Sequence, residues 1–312
     1  MNLLKYLSNT LLVDKNEIIK FSLTSPHRYK TYLIKKRSSN KYRKIAQPSR
    51  ELKFFQREIV TFIENKLPIH DCAFAYRENM GVKDNAFAHV KSNYLLKMDF
   101  TDFFPSITPD LFFSMINKID LALSVEDTLL LQNFLFWREY RGQSLRLSIG
   151  APSSPLISNF ILYFYDERMK EICDKKNIIY TRYADDLTFS TSEKDILFDI
   201  PNIVKTEINQ HTNGLIKVNA SKTVFSSKGH NRHITGVTLT NNNRLSLGRE
   251  RKRNLSSMVH KFKCNLLDTE NILRLQGLLS FAYHIEPDFQ QRMCKKYGSS
   301  CMENIKKYKA ES

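Results

Sequence analysis

The alternation of hydrophobic and polar positions predicts helices around a short hairpin in the first part of the chain. Leucine and isoleucine recur at helical spacing through residues 1–25, which predicts an amphipathic helix. Two short runs, residues 29–34 and 42–46, have the composition of strands, and a basic polar turn at residues 35–41 separates them. Ser49 then suits the N-cap of a further helix.

Two strand patterns in the middle of the chain carry acidic residues at their ends. The first covers residues 93–100 and includes Asp99, and the second is a hairpin over residues 178–190 with Asp185 and Asp186 at its tip. Adjacent aspartates between two strands are usually just solvated turn residues. If the strand of Asp99 is a neighbour of the hairpin in one antiparallel sheet, however, the acids can meet and bind a hard divalent cation.

The remaining patterns predict more helices and short strands. A run of small residues, 150–155, leads into a helix that is predicted with Ser154 as its N-cap and Pro155 as its first residue, and that is predicted to end near residue 174. Small residues allow another backbone or a flat ring to approach closely. A hairpin with an asparagine-rich turn is predicted within residues 234–248, and basic helices follow from residue 249.

Composition adds a partner class to this picture. The chain has 312 residues, 42% of them hydrophobic, and a formal net charge of +16. The excess of Lys and Arg over Asp and Glu is 10 in residues 1–100 and 7 in residues 241–312, whereas residues 101–240 have a net charge of −1. A solvated surface could carry such charge without a function. An extended polyanion that is held on both sides of a central site explains the distribution better.

Cysteines, histidines and hydropathy limit the alternatives. The 5 cysteines are odd in number and show no paired metal-ligand spacing, which favours free thiols in a reducing cytoplasm and argues against zinc. The N-terminus is too polar for the hydrophobic part of a signal peptide, and no apolar run reaches the length of a membrane span. We therefore expect a cytoplasmic protein without a membrane partner.

Taken in order, these stretches resemble a reverse transcriptase, and within that class the retron reverse transcriptases of bacteria. The polymerase resemblance rests on residues 43–48, 99–104, 150–155, 183–186 (Tyr-Ala-Asp-Asp) and 214–222. The retron resemblance rests on Asn-Ala-Phe-Ala-His at residues 85–89 and on Ile-Thr-Gly at residues 234–236. Many reverse transcriptases have Gln before the glycine of the third block, where this chain has Ile149.

The resemblance implies an α+β fold of the right-hand polymerase type, with an antiparallel palm sheet and a helical thumb. The fingers are expected at residues 1–95, including an N-terminal helix, the finger hairpin and a retron insert, and to continue over about residues 106–148. The palm is expected at residues 96–105 and 149–240, and the thumb at residues 241–312.

The resemblance also implies RNA-directed DNA polymerase chemistry with two Mg²⁺ ions. Asp99 and Asp185 are expected to bridge both ions, Asp186 to complete or support the site, and the Phe100 carbonyl to add a ligand. The expected nucleotide-binding residues are Arg43, Lys44, Phe103, Phe104, Gly150 and Lys222. Arg43 and Lys44 would neutralise the triphosphate, and Lys222 would protonate the leaving pyrophosphate.

The ring of Phe104 stands where this class of polymerase excludes a ribose 2′-hydroxyl. The structural alternative is that Phe104 belongs to the core, as Phe103 would.

The implied partners are deoxynucleotide triphosphates and a cognate structured noncoding RNA that serves as template and priming strand. Synthesis from a guanosine 2′-hydroxyl would give branched msDNA, in an anti-phage defence system with a separate effector protein. Five residues are candidates for RNA-specific contacts: Asn85, His89, Ile234, Thr235 and Gly236. The alternatives are a group II intron-like or other bacterial reverse transcriptase, and a non-catalytic RNA-binding module.

Overall fold

The computed structural model describes residues 1–35, 40 and 42–310. The α-helices are α1 (Leu3–Leu11), α2 (Lys15–Thr24), α3 (Arg50–Ile63), α4 (Val82–Ala88), α5 (Pro109–Lys118), α6 (Val125–Leu135), α7 (Ser154–Ile161), α8 (Tyr163–Asp174), α9 (Ile200–Thr212), α10 (Arg249–Lys263), α11 (Thr269–Ile285), α12 (Asp288–Tyr297) and α13 (Ser299–Lys307). The predicted basic turn falls mostly on residues 36–39 and 41, which lie outside the described residues.

The strands are β1 (Tyr29–Lys35), β2 (Tyr42–Pro48), β3 (Tyr94–Thr101), β4 (Phe136–Trp137), β5 (Arg146–Leu147), β6 (Ile179–Tyr183), β7 (Asp186–Thr191), β8 (Lys217–Val218), β9 (Val224–Ser227), β10 (Arg232–Ile234), β11 (Val237–Leu239) and β12 (Leu245–Ser246). The described residues combine helices with mostly short strands, and the last four helices, α10 to α13, follow one another without a strand between them, in agreement with the predicted α+β class.

The chain folds as two compact units that each combine three segments. The first unit contains Met1–Tyr76, Met98–Leu187 and Phe198–Thr223, and the second contains Arg77–Lys97, Thr188–Leu197 and Val224–Ser312. These divisions differ from the predicted subdomain boundaries because β3 and β7 each contribute residues to both units. The assignment of fingers, palm and thumb stays a prediction.

The prediction of one continuous helix at the N-terminus is wrong. Leu12 has a left-handed backbone with φ of 54°, which ends α1. Asp14 then caps α2 by accepting a hydrogen bond from the Asn16 backbone at 2.8 Å. The predicted N-cap at Ser154 is also wrong, because Ser153 is the N-cap and Ser154 is the first residue of α7. The helix predicted after Ser154 is likewise interrupted, at Leu162, where α7 ends before α8 begins.

Two predicted features of the first unit are confirmed. β1 and β2 form an antiparallel hairpin, with Tyr29 paired to Pro48 at its base. Ser49 caps α3 as expected, because its hydroxyl accepts a hydrogen bond from the Leu52 backbone at 3.3 Å. The hairpin and α3 thus follow directly from turn and capping chemistry in the sequence.

The central sheet brings the two predicted acidic strands together. Its order is β6-β7-β3-β8, with β9 also paired to β3. In the first unit, Phe100 of β3 pairs with Val218 of β8. In the second unit, the other end of β3 pairs antiparallel with β9, from Tyr94 opposite Ser227 to Lys97 opposite Val224. The strand of Asp99 therefore lies beside the acidic hairpin, as predicted.

The second unit has a hydrophobic core of its own. Strands β10 to β12 form an antiparallel sheet, and the asparagine-rich turn connects β11 to β12 as predicted. Buried residues of this sheet and of helices α10 to α13 pack together, among them Ile234, Leu255, Leu275 and Phe289. Among the described residues, no helix is both long enough and apolar enough to cross a membrane.

Candidate active site

The tip of the β6–β7 hairpin is a tight turn. β6 ends at Tyr183 and β7 begins at Asp186, so Ala184 and Asp185 connect the strands. Ala184 adopts a left-handed backbone with φ of 57° and is buried. Asp185 is half-buried and Asp186 is exposed. The turn therefore presents two consecutive carboxylates at the end of a rigid pair of strands.

A backbone hydrogen bond fixes the first aspartate next to this tip. The Phe100 N–H donates to the Asp185 carbonyl oxygen at 3.2 Å. Asp99 precedes Phe100 in β3, and only 5% of its surface is exposed. The carbonyl of Asp99 in turn accepts a hydrogen bond from the Asn219 backbone at 2.7 Å. Residues that lie far apart along the chain thus converge on one point of the sheet.

The pKa of Asp185 reflects the proximity of the Asp99 and Asp185 carboxylates. Burial raises the pKa of Asp185, and the negative charge of Asp99 raises it further. The positive charges of Lys222 and Arg43 act in the opposite direction. The net pKa is above the ordinary value, because two like charges in a partly desolvated place oppose ionisation. A bound cation would relieve this repulsion.

Lys222 provides the compensating charge for Asp99. Its ammonium nitrogen lies 2.6 Å from Asp99 Oδ2. The side-chain amide of Asn219 is 3.5 Å from the other oxygen, Asp99 Oδ1. A buried carboxylate is costly without such partners. Lys222 itself is exposed at 54% and lines the same cleft as Asp99.

The donor set at the tip fits Mg²⁺ in its chemistry. Within the described part of the chain, no group of three or more His, Cys, Asp or Glu side chains is arranged to hold a metal ion. Two carboxylates whose charges interact, Asp99 and Asp185, nevertheless supply the hard oxygens that Mg²⁺ prefers. Mg²⁺ keeps water and substrate oxygens among its ligands, so few protein ligands suffice.

A cleft of about 500 Å³ opens at the tip and collects most of the predicted nucleotide-binding residues. Arg43, Lys44, Phe103, Phe104 and Lys222 line it together with Asp99, Phe100 and Asp185. Arg43 is near enough to Asp185 to lower the pKa of that carboxyl. Lys44 forms an ion pair with Glu139, at 2.8 Å. Arg43 is therefore the better placed of the two for a triphosphate.

The two phenylalanines differ in burial. Phe103 is 3% exposed and stacks on Phe100, with ring centroids 5.8 Å apart. Phe104 is half-buried and meets Phe103 edge to face at 5.5 Å. Phe103 thus supports Phe104 from behind, and Phe104 is the ring with a face available to a ligand.

Gly150 serves a packing role beside the cleft. Its φ is 122°, and a Cβ there would lie 3.2 Å from Cγ2 of Ile45 and 3.3 Å from the carbonyl oxygen of Ala46. The neighbouring Ile149 lines the cleft, and its carbonyl accepts a hydrogen bond from the Ala46 backbone at 3.1 Å. The glycine thus lets this segment lie against β2. Ile149 occupies the position where many reverse transcriptases have Gln.

Tyr76 is a cleft residue that sequence reasoning missed. It lines the cleft, is 51% exposed and has a left-handed backbone with φ of 61°. Burial and the charge of Asp185 raise the pKa of its phenol, whereas Arg43 lowers it. Left-handed backbone is strained for a bulky residue and is concentrated at functional sites. Nothing in hydrophobic periodicity predicts such a conformation at a tyrosine.

Two of the five candidates for RNA contacts are completely buried in the second unit. Asn85 and His89 both have 0% exposure. His89 Nδ1 lies 2.7 Å from the Ser190 hydroxyl, which donates in turn to Ser92 at 2.8 Å. Burial lowers the pKa of His89 to about 3, so its imidazole is neutral. Direct RNA contact by these two side chains stays a prediction, and their burial favours a structural role.

The other three candidates form the end of β10 and the turn that follows it. Ile234 is part of the hydrophobic core of the second unit. Thr235 and Gly236 have left-handed φ values of 45° and 83°, which make the turn to β11. Gly236 is exposed, and its carbonyl accepts a hydrogen bond from Arg251 at 2.6 Å. This turn is therefore the part of the motif that can touch a ligand.

Comparison with known proteins finds similarity to reverse transcriptases. The family model described as reverse transcriptase (RNA-dependent DNA polymerase) matches residues 34–239. The Escherichia coli retron Ec83 reverse transcriptase is 48% identical over 282 residues, which are 90% of this chain and 90% of the relative. The Escherichia coli retron Ec86 reverse transcriptase is 28% identical over 98% of this chain and 94% of the relative.

Solved structures with a similar fold include two fungal telomerases. Telomerase from Candida tropicalis, in complex with a TWJ fragment of telomeric RNA, has a TM-score of 0.50 at 17% identity over 92% of this chain. Telomerase from Candida albicans, with the same kind of fragment, has a TM-score of 0.50 at 13% identity over 91% of this chain. This chain spans 58% of each of those chains. The likeness supports the predicted right-hand polymerase fold.

Proposed function

This chain belongs to the retron reverse transcriptase family and is an RNA-directed DNA polymerase, and we propose that it copies a cognate structured noncoding RNA into branched msDNA. Priming would use the 2′-hydroxyl of a guanosine in that RNA. The sequence similarity to retron reverse transcriptases supports the choice of partner. An anti-phage role with a separate effector protein is the biological setting that we propose for this product.

The proposed catalytic residues are Asp99, Asp185 and Asp186. Asp99 and Asp185 would hold two Mg²⁺ ions between them, with Asp186 and the Phe100 carbonyl as further oxygen donors. When bound, the ions stabilise the attacking 3′-hydroxyl and the leaving pyrophosphate oxygens. The hydrogen bond between Phe100 and Asp185, at 3.2 Å, is the single observation that carries this proposal, because it fixes Asp99 beside the tip.

Residues around the cleft would bind and orient the deoxynucleotide. Arg43 would neutralise triphosphate charge, as its effect on the pKa of Asp185 supports. Phe104, braced by Phe103, would lie under the sugar and exclude a 2′-hydroxyl. Tyr76 would form another wall of the nucleotide site. Lys222 would donate a proton to the leaving pyrophosphate when it leaves Asp99.

The charge distribution supports a long nucleic-acid partner. The basic segments 1–100 and 241–312 would bind phosphates of that partner. Double-stranded RNA is held mainly through its shape, phosphates and 2′-hydroxyls, which suits scattered Lys and Arg. The exposed turn at Gly236 is the proposed point of RNA-specific contact.

Purification from cells that express the protein with its neighbouring noncoding DNA tests this function. The co-purified nucleic acid should contain a DNA strand that remains joined to RNA through a 2′–5′ linkage. Digestion with ribonuclease should leave that DNA with a residual branched guanosine at its 5′ end. The same preparation from the Asp185→Asn variant should contain the RNA without DNA. DNA of equal amount and structure in both preparations contradicts the proposal.

A further inference from the structure

A completely buried arginine lies in the strand that leads to the acidic tip. Arg182 has 0% exposure, as does its partner Asp166 in α8. The guanidinium and the carboxylate form a two-pronged ion pair, with Nη2–Oδ2 at 2.6 Å and Nε–Oδ1 at 2.9 Å. Tyr180 also donates to Asp166, at 2.8 Å. Burial disfavours the charged guanidinium, but the charge and hydrogen bonds of Asp166 raise the pKa of Arg182 above its ordinary value.

The remaining arm of the guanidinium reaches the tip itself. Arg182 Nη1 donates to the carbonyl oxygen of Ala184 at 3.1 Å. The same nitrogen donates to the side-chain oxygen of Asn159 at 3.1 Å. Ala184 is the left-handed residue directly before Asp185. A single guanidinium therefore connects the helix that carries Asp166 to the peptide that carries the proposed metal ligand.

Asn159 extends this network to the segment before Tyr76. Its side-chain nitrogen donates to the Ala75 carbonyl oxygen at 2.9 Å. Ala75 directly precedes Tyr76, the strained cleft residue. The backbone of Arg182 also pairs with the segment of residues 72–74, through hydrogen bonds of 2.7 and 2.8 Å. Three buried side chains, Arg182, Asp166 and Asn159, thus connect the tip backbone with the segment before Tyr76.

Stability alone does not account for such a network. A buried ion pair is often no more stabilising than well-packed apolar residues of similar volume, because both charges lose their hydration. Its advantage is direction, since a planar guanidinium fixes the position of each acceptor. Outside the ion pair, the guanidinium donates to the Asn159 side chain and to the Ala184 carbonyl oxygen in the backbone of the tip.

We propose that Arg182 is a positioning residue, which holds the Ala184 peptide so that the Asp185 carboxylate faces its metal ions. Asp166 fixes the guanidinium. Asn159 positions the Tyr76 segment for the nucleotide. This inference rests on the proposed function, because it assumes that Asp185 holds the catalytic metal.

The Arg182→Lys variant tests the first part. It keeps a buried positive charge for Asp166 but loses the planar arrangement that reaches Ala184 at the same time. We expect kcat to fall about 10- to 100-fold, as is typical when residues behind a metal ligand are changed. The Mg²⁺ concentration for half-maximal activity should increase several-fold. The KM for deoxynucleotides and the Kd for RNA should stay within about twofold of wild type, because Asn159 loses its bond from Arg182 but keeps the bond that it donates to Ala75, and the RNA surface is not altered.

The Asn159→Ala variant tests the second part. It removes the hydrogen bond to Ala75 and the bond that Arg182 donates to Asn159, while the ion pair of Arg182 with Asp166 and the bond to Ala184 remain. We expect the KM for deoxynucleotides to increase about fivefold, which corresponds to one lost hydrogen bond of about 1 kcal/mol. The kcat and the Mg²⁺ dependence should change little. The two variants therefore separate tip positioning from nucleotide positioning.

Arg168→Lys is the matched control. Arg168 belongs to the same helix as Asp166 and forms an ion pair with Glu171 at 2.7 Å, but it is 46% exposed. Its kinetic constants should equal those of wild type. The kinetic constants of all variants are measured below their unfolding temperatures. Each kcat is calculated per protein molecule that is able to bind RNA. Partial unfolding would reduce RNA binding and kcat together and would leave the Mg²⁺ dependence unchanged.

The outcomes distinguish a failure of the positioning role of Arg182 from a failure of the proposed function of Asp185. Wild-type kcat and Mg²⁺ dependence in Arg182→Lys overturn the positioning role, whereas activity of Asp185→Asn overturns the proposed function beneath it. If Arg182→Lys does not fold, the double variant Asp166→Asn, Arg182→Gln takes its place, because it leaves no unpaired buried charge. Its kcat and Mg²⁺ dependence are then interpreted in the same way.

Discussion

Lys222 donates a hydrogen bond to Asp99 Oδ2 at 2.6 Å, across 123 positions of the chain. The acceptor is the carboxylate that we propose as a ligand of both metal ions. A lysine ammonium and a divalent cation compete for the same oxygen, because each is attracted by the same negative charge. A metal ion held by Asp99 would therefore compete with Lys222, and a released ammonium in the cleft would be available as a proton donor for pyrophosphate.

Replacement of Lys222 should separate these two effects. In Lys222→Met, the Mg²⁺ concentration for half-maximal activity should fall, because the competing cation is gone. The kcat should fall about 100-fold, the usual contribution of a general acid. Lys217→Met is the control, since Lys217 is an exposed lysine on the neighbouring strand β8. An increased Mg²⁺ requirement in Lys222→Met would show that the ion pair does not oppose metal binding.

The raised pKa of Asp185 predicts a stability effect opposite in sign to its effect on activity. A carboxyl group with a raised folded-state pKa contributes stability below its unfolded pKa and loses that contribution as pH rises through the folded pKa. Without Mg²⁺ at neutral pH, Asp185→Asn should therefore unfold at a higher temperature than wild type. The difference in unfolding temperature should shrink as pH falls toward 4, which is about the pKa of the unfolded state.

Synthesis by Asp185→Asn should be abolished, with RNA binding retained. Calorimetry and primer extension measure the two properties, and an Asp185→Asn variant less stable than wild type at neutral pH contradicts this electrostatic account.

The supported ring of Phe104 predicts sugar discrimination. Phe104→Val should raise the incorporation of ribonucleotides relative to deoxynucleotides about 10- to 100-fold, because space opens for the 2′-hydroxyl. Phe103→Leu, in the core beneath it, should lower the unfolding temperature and leave the discrimination ratio near wild type. The ratio of kcat/KM for paired ribo- and deoxynucleotides is the measurement. An unchanged ratio in Phe104→Val assigns that ring to the core.

The candidate site was predictable where its residues stand in recognisable motifs. Asp99, Asp185 and Asp186 are identifiable because acids at strand ends are unusual in themselves and because their surroundings resemble polymerase motifs. The strand patterns predicted the two acidic strands but not that they are neighbours; the sheet order, with β7 next to β3, meets the condition under which the distant acids can come together.

Other features depend on tertiary contacts that no local pattern encodes. The conformation of Tyr76 is strained, so it follows from its surroundings and not from its intrinsic preference. Arg182 looks like an ordinary strand residue until Asp166 and Asn159 are seen around it. The break of the N-terminal helix at Leu12 was missed because the leucine spacing continues across it, although Asp14 signals a new N-cap. Capping chemistry there outweighs periodicity.

The buried imidazole of His89 predicts a pH-dependent stability. Burial lowers its pKa to about 3 in the folded state, so the neutral ring contributes stability above its unfolded pKa of 6.5, and that contribution is lost as pH falls toward the folded value. Wild type should therefore lose about 1.4 kcal/mol of unfolding free energy per pH unit below that point through this group. His89→Asn should be less stable at pH near 7.5 by about 1–3 kcal/mol, because the contact with Ser190 is altered.

The decisive quantity is the difference between wild type and variant across pH, measured by urea unfolding. This difference should narrow between about pH 6.5 and 5. Because His211 and His233 also have lowered pKa values and are unchanged in His89→Asn, their effects cancel in the difference. His230→Asn, at an exposed histidine, is the control variant. A constant difference between wild type and His89→Asn would mean that the ring does not stay neutral in the folded protein, and the assignment of His89 to a buried structural role would then fail.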